Sequence, residues 1–288
     1  MKKYLLLLMA VSMGLLSACN SSQPKLDLKV MTFNIRLDTS DDGEYSWEHR
    51  KEQAGAMAKA QDCDLIGTQE VLNHQLEDLK AALPEYEAVG VGRADGKTEG
   101  EYSSLLYKKD RFDALDSGTF WLSETPEVAG SKGWDGACER VASWVLLKDK
   151  ETLREVFFIN THLDHVGVEA RREGVNLLLE RAYKLAKDAP IVLTGDFNAE
   201  PESDVIFNVI NPEKERHLLS THEVAQEVKG TNWTFHDYDR LDINKREYID
   251  YIFVSAPVTV KSYEVLPMKY EGQFVSDHCP VVANIEFN

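Results

Sequence analysis

The chain has 288 residues, 43% hydrophobic and 28% charged, with a formal charge of −17 at neutral pH. That length is ample for a sizeable core, and the composition is that of an ordinary globular domain, not a low-complexity or fibrous chain. The acidic balance disfavours non-specific association with duplex DNA, which is driven by phosphate neutralisation, and four cysteines without a Cys-x-x-Cys pair exclude a disulfide scaffold or zinc knuckle.

The chain opens on Lys2-Lys3 and an apolar run over 4–16 that is too short to span a bilayer, the pattern of a signal segment. Leu16-Ser17-Ala18-Cys19 resembles the lipobox of bacterial lipoproteins. That resemblance implies cleavage before Cys19, a lipid on its sulfur, and a lipid-anchored protein outside the cytoplasm, periplasmic or on the outer membrane. Residues 1–18 are read as the signal peptide, 19–25 as the lipidated cysteine and tether, and 26–288 as one domain, expected to be monomeric.

Residues 26–35 read as a strand that becomes apolar on both faces towards its end. Helical spacing follows over 47–61, a buried strand over 64–70, and a helix over 73–83 stopped by Pro84. Strands are expected at 86–91, 103–107 and 112–120, with a Gly-rich loop at 90–100. The stretch 123–140 is long and irregular, which is more often functional than idle. Strands at 142–147 and 155–160 precede the clearest helix, 167–187, whose apolar face carries Val175, Leu178, Leu179 and Ala182. After the buried strand at 191–194, which runs into Gly195-Asp196-Phe197-Asn198, come a short helix over 203–210 with Ser203 as its cap, a loop-rich stretch over 211–246, and strands at 248–254, 258–265 and 281–287. The pattern indicates one α/β domain with two packed sheets and helices outside.

Strand-like runs end repeatedly on polar residues: Asn34, Glu70, His162, Asp196, Asn198, Asp250, Asp277 and His278. Open α/β sheets place ligands beyond the carboxyl ends of their strands. The set is rich in hard oxygen donors, which suit Mg²⁺ or Mn²⁺ and not zinc. A histidine beside a carboxylate can activate water. Together these groups describe metal-assisted attack on a phosphate ester.

The fragments Phe33-Asn34-Ile35-Arg36, Gln69-Glu70, Asn160-Thr161-His162-Leu163, Gly195-Asp196-Phe197-Asn198, Ile249-Asp250-Tyr251-Ile252 and Ser276-Asp277-His278-Cys279-Pro280 resemble, in order, the endonuclease/exonuclease/phosphatase superfamily. Within it, the stretches 118–123, 133–135 and 160–165 resemble the deadenylase-like branch. The resemblance implies a deoxyribonuclease I-like four-layer α/β sandwich, two mixed sheets flanked by helices. It implies Glu70 as the principal metal carboxylate, helped by Asn34 and Asp277, and Asp250 orienting His278 to activate water or steady phosphoryl oxygens. Asp196 is the other candidate base, and Asn198 and His162 would hydrogen-bond the phosphate.

Arg140 and Arg171 are candidate contacts to a substrate phosphate, though a surface ion pair would explain either as well. Trp134, Trp233 and Phe235 could stack on a base or a sugar, and His165 and His236 could line the pocket. The expected activity is a divalent-metal-dependent phosphoesterase, a phosphodiesterase acting on a nucleic acid, a phospholipid headgroup or a sugar phosphate. A non-catalytic ligand-binding lipoprotein on the same fold, or a glycosidase with paired carboxylates, are the alternatives.

Overall fold

The computed structural model describes residues 24–288; the signal-peptide reading and lipidation at Cys19 lie outside the described residues. In chain order the strands of the first half are β1 (Leu26–Asn34), β2 (Leu65–Gln69), β3 (Tyr86–Val89), β4 (Leu105–Lys108), β5 (Phe112–Trp121), β6 (Val141–Asp149), β7 (Glu155–His162) and β8 (Ile191–Asp196). The second half adds β9 (Leu219–Ser220), β10 (Val228–Lys229), β11 (Asp250–Val254), β12 (Val258–Val265), β13 (Lys269–Tyr270), β14 (Gln273–Phe274) and β15 (Val281–Phe287). The helices are α1 (Trp47–Gln61), α2 (Asn73–Ala82), α3 (Val168–Ala186), α4 (Asp204–Ile210) and α5 (Thr221–Val224).

Seven strands form one sheet in the order β10-β12-β15-β1-β2-β4-β3, and six form the other in the order β5-β6-β7-β8-β11-β9. Both sheets are mixed: β1 runs parallel to β2 and antiparallel to β15, and β7 runs parallel to β8, itself antiparallel to β11. Trp47, Met57 and Leu79 of α1 and α2 pack on Met31, Phe33 and Ile66 of the first sheet. Val175 and Leu178 of α3 and Val205 and Val209 of α4 close over the second. The result is the four-layer sandwich the sequence implies. The burial of β1 follows this layering: Asp27 is exposed and Lys29 half-buried at its edge end, and everything from Val30 to Asn34 is buried, as both faces become covered.

The two parallel pairs bring four strand exits to one edge. Asn34 lies beside Gln69 in one sheet, His162 beside Asp196 in the other, and Asp250, at the start of the antiparallel β11, beside Asp196. Beneath this edge the sheets meet through polar side chains. The Asn160 amide donates to the carbonyls of Thr68 (2.8 Å) and Ser104 (3.0 Å), and its oxygen accepts from Gln69 Nε2 (2.7 Å) and Thr194 Oγ1 (2.9 Å). Gly67 leaves room for that contact, since a Cβ there would lie 2.0 Å from Thr194 Oγ1 and 2.6 Å from Asn160 Oδ1.

The sequence reading missed the hairpin β13–β14, whose strands are two residues long and whose turn places Glu271 and Gly272 at positive φ. Runs that short carry no periodicity to read. The loop-rich stretch 211–246 also holds β9, β10, α5 and a 3₁₀ turn at Ile243–Lys245.

Gly67→Ala should lower the unfolding free energy by about 1–3 kcal/mol, the usual cost of overpacking a filled core. Urea denaturation followed by tryptophan fluorescence measures this, and a midpoint equal to that of the wild type would show that the sheets are not in close contact at Gly67.

Candidate active site

The strand exits surround a cavity of about 530 Å³, lined by Arg36, Glu70, Asp196, Asp277 and His278 together with Arg93, Glu101, Arg140 and His162. Asn34 sits beneath it. Its amide nitrogen donates to Glu70 Oε1 (3.0 Å) and Asp196 Oδ2 (2.9 Å), and its oxygen accepts from the Arg36 N–H (2.9 Å). With carboxylates on one side and an N–H on the other, only this amide orientation satisfies all three partners. The Asn34 oxygen is thus engaged by the Arg36 N–H, and its amide sets the spacing of two carboxylates.

Glu70 follows β2 with a left-handed backbone (φ 60), as do Arg36 after β1 (φ 60) and Asn198 after β8 (φ 46). Non-glycine residues in this region carry strain of about 1 kcal/mol or more each, and such strain gathers at functional sites. Here it turns side chains back over the sheet edge. Glu70 Oε2 also accepts from the Leu37 N–H (3.1 Å). The Arg36 guanidinium is gripped by both oxygens of Asp42 (3.0 Å each) and lies 3.7 Å from Glu70 and from Asp277. Burial works against the Glu70 carboxylate, but His278, the Asn34 amide and Arg36 outweigh it, so its pKa falls below the ordinary value. Asp277 goes the other way, raised by burial and by Glu70 despite the pull of His278.

His278 donates from Nδ1 to Asp250 Oδ2 at 2.8 Å, which leaves Nε2 3.8 Å from Asp196 Oδ2. Burial lowers the imidazole's pKa, the Asp250 charge and hydrogen bond raise it by more, and the outcome is about 10. Asp196 is raised by burial and by the neighbouring Asp250. The Phe235 ring lies against the His278 ring, with centroids 4.9 Å apart.

His162 and Asn198 are joined. The Asn198 amide donates to Leu163 O (3.0 Å) and His162 Nε2 (3.0 Å), and its N–H bonds Asp196 Oδ1 (2.9 Å). Because Leu163 O can only accept, the amide faces it, His162 Nε2 accepts, and the imidazole carries its proton on Nδ1. Burial and the nearby Arg140 push His162 well below its ordinary pKa, so it is neutral. The expectation that Asn198 donates to the phosphate is corrected, since both its amide hydrogens are engaged. Its work is to fix His162 and Asp196.

Arg140 reaches the cavity, 5% exposed, with Nη2 on His165 Nδ1 (3.0 Å), Nε 3.5 Å from Asp164 Oδ2 and Nη1 without a hydrogen bond. Arg171 does not reach it; it donates to Asp164 O (2.8 Å) at the start of α3, so the reading of a phosphate contact is corrected. Phe235 and His165 line the cavity. Trp233 is buried beneath Arg246, and His236 packs on Phe274, away from it. Among the described residues the three cysteines are free thiols; Cys63 and Cys279 are buried, and Cys138 lines the cavity. Sequence reasoning did not assign Arg36, although it stands in a quoted fragment, and it missed Arg93 and Glu101. Their bidentate pair (2.8 and 2.6 Å) spans the 90–100 loop, which shows only scattered charges in sequence.

Glu70, His162 and Asp196 offer ligand atoms within 4.8 Å of one another, and so do Asp196, Asp250 and His278. His162 gives its Nε2 lone pair to Asn198, and His278, protonated on both nitrogens beside Asp250, has no lone pair to offer, so the donors left are carboxylate oxygens. An all-oxygen set with an ionised Glu70 suits a hard divalent cation. Glu70 and Asp277, open to the cavity, would hold it.

A two-sheet sandwich here carries carboxylates, carboxamides and a His–Asp pair at one edge, the groups that attack on a phosphate ester uses. The model of the Endonuclease/Exonuclease/phosphatase family matches residues 31–278, and the chain belongs to that family of hydrolytic phosphoesterases. The endonuclease/exonuclease/phosphatase from Bacteroides vulgatus is 42% identical with a TM-score of 0.88, over 91% of this chain and 100% of that one. The Bacteroides thetaiotaomicron mannosyl-6-phosphatase is 38% identical with a TM-score of 0.83, over 90% of this chain and 99% of that one. The CCR4-Not complex 3'-5'-exoribonuclease subunit Ccr4 of Kluyveromyces lactis is 24% identical over 306 residues, 84% of this chain and 38% of that protein. The chain spans less than half the length of the curated relatives it matches, 47% and 38%.

The His278 pKa makes stability depend on pH. A group raised above its unfolded value contributes fully below that value, near 6.5, and the contribution is lost as pH rises through the folded pKa of about 10. With chelator present, the difference in unfolding free energy between the wild type and His278→Gln should shrink between pH 6.5 and 10 in urea titrations. A difference that stays flat or widens would contradict the protonated pair.

Proposed function

We propose that the protein is a divalent-metal-dependent phosphoesterase that hydrolyses a small phosphorylated sugar. The observation that carries the chemistry is the His278–Asp250 pair converging with Asp196 and Glu70 on one cavity. A cation bound by Glu70 and Asp277 would neutralise phosphoryl charge and polarise the ester. Asp250 holds His278 in one tautomer with Nε2 towards the cavity, so His278 donates a proton or a hydrogen bond to a phosphoryl oxygen. Asp196, with its raised pKa, accepts the proton of the attacking water as its oxygen bonds to phosphorus; the phosphorus–ester oxygen bond breaks, and the sugar oxygen leaves as a hydroxyl with a proton supplied by His278. A divalent cation nearby would draw the His278 pKa back down.

The choice of a sugar over a nucleic acid or phospholipid is supported by the likeness to the mannosyl-6-phosphatase and by the cavity walls. Among the described residues, Phe235 is the one Phe, Tyr or Trp side chain lining the cavity, and it packs against His278, a poor lining for a run of stacked bases. If Cys19 is lipidated, this hydrolysis takes place in the cell envelope.

The test is a panel of a hexose 6-phosphate, short single-stranded DNA and RNA, a choline phospholipid and an aryl phosphate, with Mg²⁺ or Mn²⁺. Turnover should be highest on the hexose phosphate, be abolished by chelator, and fall about 100-fold or more in His278→Ala. Faster cleavage of the nucleic acids or the lipid would sink the sugar reading, and near wild-type turnover in His278→Ala would sink the site. Glu70→Gln should weaken metal binding at least tenfold by calorimetry, and an unchanged affinity would remove Glu70 from the metal site.

A further inference from the structure

We propose that Asp42 is a positioning residue that keeps the Arg36 guanidinium off the two metal carboxylates, Glu70 and Asp277, and so leaves their oxygens open to the cation. This rests on the reading that Glu70 and Asp277 hold a divalent cation.

Asp42 is the inward-facing member of an acidic surface turn. On the 3₁₀ turn Ser40–Tyr45, which follows β1, Asp41, Gly43 and Glu44 are exposed, whereas Asp42 is 4% exposed. Burying a carboxylate is costly unless it is paired. Here the partner is Arg36, whose Nε donates to Oδ2 and Nη2 to Oδ1, 3.0 Å each. The Tyr238 hydroxyl also donates to Oδ2 (3.2 Å).

The Arg36 backbone is held by three hydrogen bonds. Its N–H donates to Asn34 Oδ1 (2.9 Å), and its carbonyl accepts from Arg50 Nη2 (2.9 Å) and Gln75 Nε2 (2.9 Å). The position of the guanidinium is then a matter of which carboxylate it pairs with. Glu70 Oε2 lies 3.7 Å from Nη1 and Asp277 Oδ2 lies 3.7 Å from Nε, both beyond hydrogen-bond distance. From there Arg36 offsets the charge of both carboxylates without occupying their lone pairs. A guanidinium pairs strongly with a carboxylate through two parallel bonds. Released from Asp42, it would close the short remaining gap, and a cation would have to displace it from Glu70 or Asp277. Asp42 thus decides whether Arg36 is a counter-charge or a competitor.

The experiment is a double-mutant cycle on Mn²⁺ affinity, measured by calorimetry on the whole protein without substrate, with thermal melts as the folding control. Its members are the wild type, Asp42→Asn, Arg36→Gln and the double variant. Asp42→Asn should weaken Mn²⁺ binding about tenfold or more, and the same change made in Arg36→Gln should alter it less than about threefold, since no guanidinium is left to compete. A role in folding alone would lower the melting temperature and leave the affinity unchanged. Loss of a charge alone would weaken binding equally in both backgrounds. Either result would overturn the proposal. Crystals of the wild type with and without Mn²⁺ give a check that needs no variant to fold. The Asp42–Arg36 fork should persist in both, and an Arg36 paired with Glu70 or Asp277 in the metal-free crystal would overturn the proposal. A wild type that binds no Mn²⁺, or a Glu70→Gln variant that binds it equally well, would overturn the metal reading and the role of Asp42 with it. Asp42 fails alone if Glu70→Gln loses Mn²⁺ and Asp42→Asn keeps it.

Discussion

One buried amide ties the two sheets together under the site. Asn160 uses both hydrogens and its oxygen to reach Thr68, Ser104, Gln69 and Thr194, so β7 is locked in register against β2 and beside β8. A half-satisfied buried network is costly, and a complete one is highly specific. This one fixes how far each strand extends before it exits, and the exits are the site. A shift of one residue in β2 would send Glu70 to the opposite face of the sheet.

Above that layer the difficulty is charge. Glu70, Asp196, Asp250 and Asp277 crowd together, and carboxylates this close repel one another. The protein answers with fixed cations and amides: His278 on Asp250, Arg36 beside Glu70 and Asp277, and Asn34 between Glu70 and Asp196. Arg50 supports this from below. Buried, it donates to the carbonyls of Tyr45, Ile35, Arg36 and Val275, and so holds the segments carrying Arg36 and Asp277. The geometry needed by a cation is therefore set by the protein itself.

The fold and the catalytic half were legible in sequence because strand and helix periodicity is local, and because polar residues interrupt apolar runs at their ends. Helix α1, the strand at 258–265 and the Ser203 cap, whose Oγ accepts from Ile206, lie where the sequence places them. Roles were less legible than positions. Asn34 and Asn198 stand at the site, but which amide edge is free depends on partners 162 and 36 residues distant in the chain. Arg171 was misread because its helix start points it at Asp164 O. Arg93 and Glu101 pair across one loop and Arg50 acts through backbone carbonyls, and neither leaves a periodic pattern.

The Asp164 carboxylate gathers four backbone N–H groups: Ala137 and Cys138 from the loop before β6, and Val166 and Gly167 at the approach to α3. These bonds hold its pKa far below the ordinary carboxylate range, against burial. The cavity side carrying Arg140 and His165 is therefore pinned by a loop anchor, whereas Glu70, Asp250 and His278 rest on the inter-sheet framework. The loop 133–140 could be exchanged as a cassette, held by the same carboxylate, to reshape that side of the cavity without disturbing the strand exits.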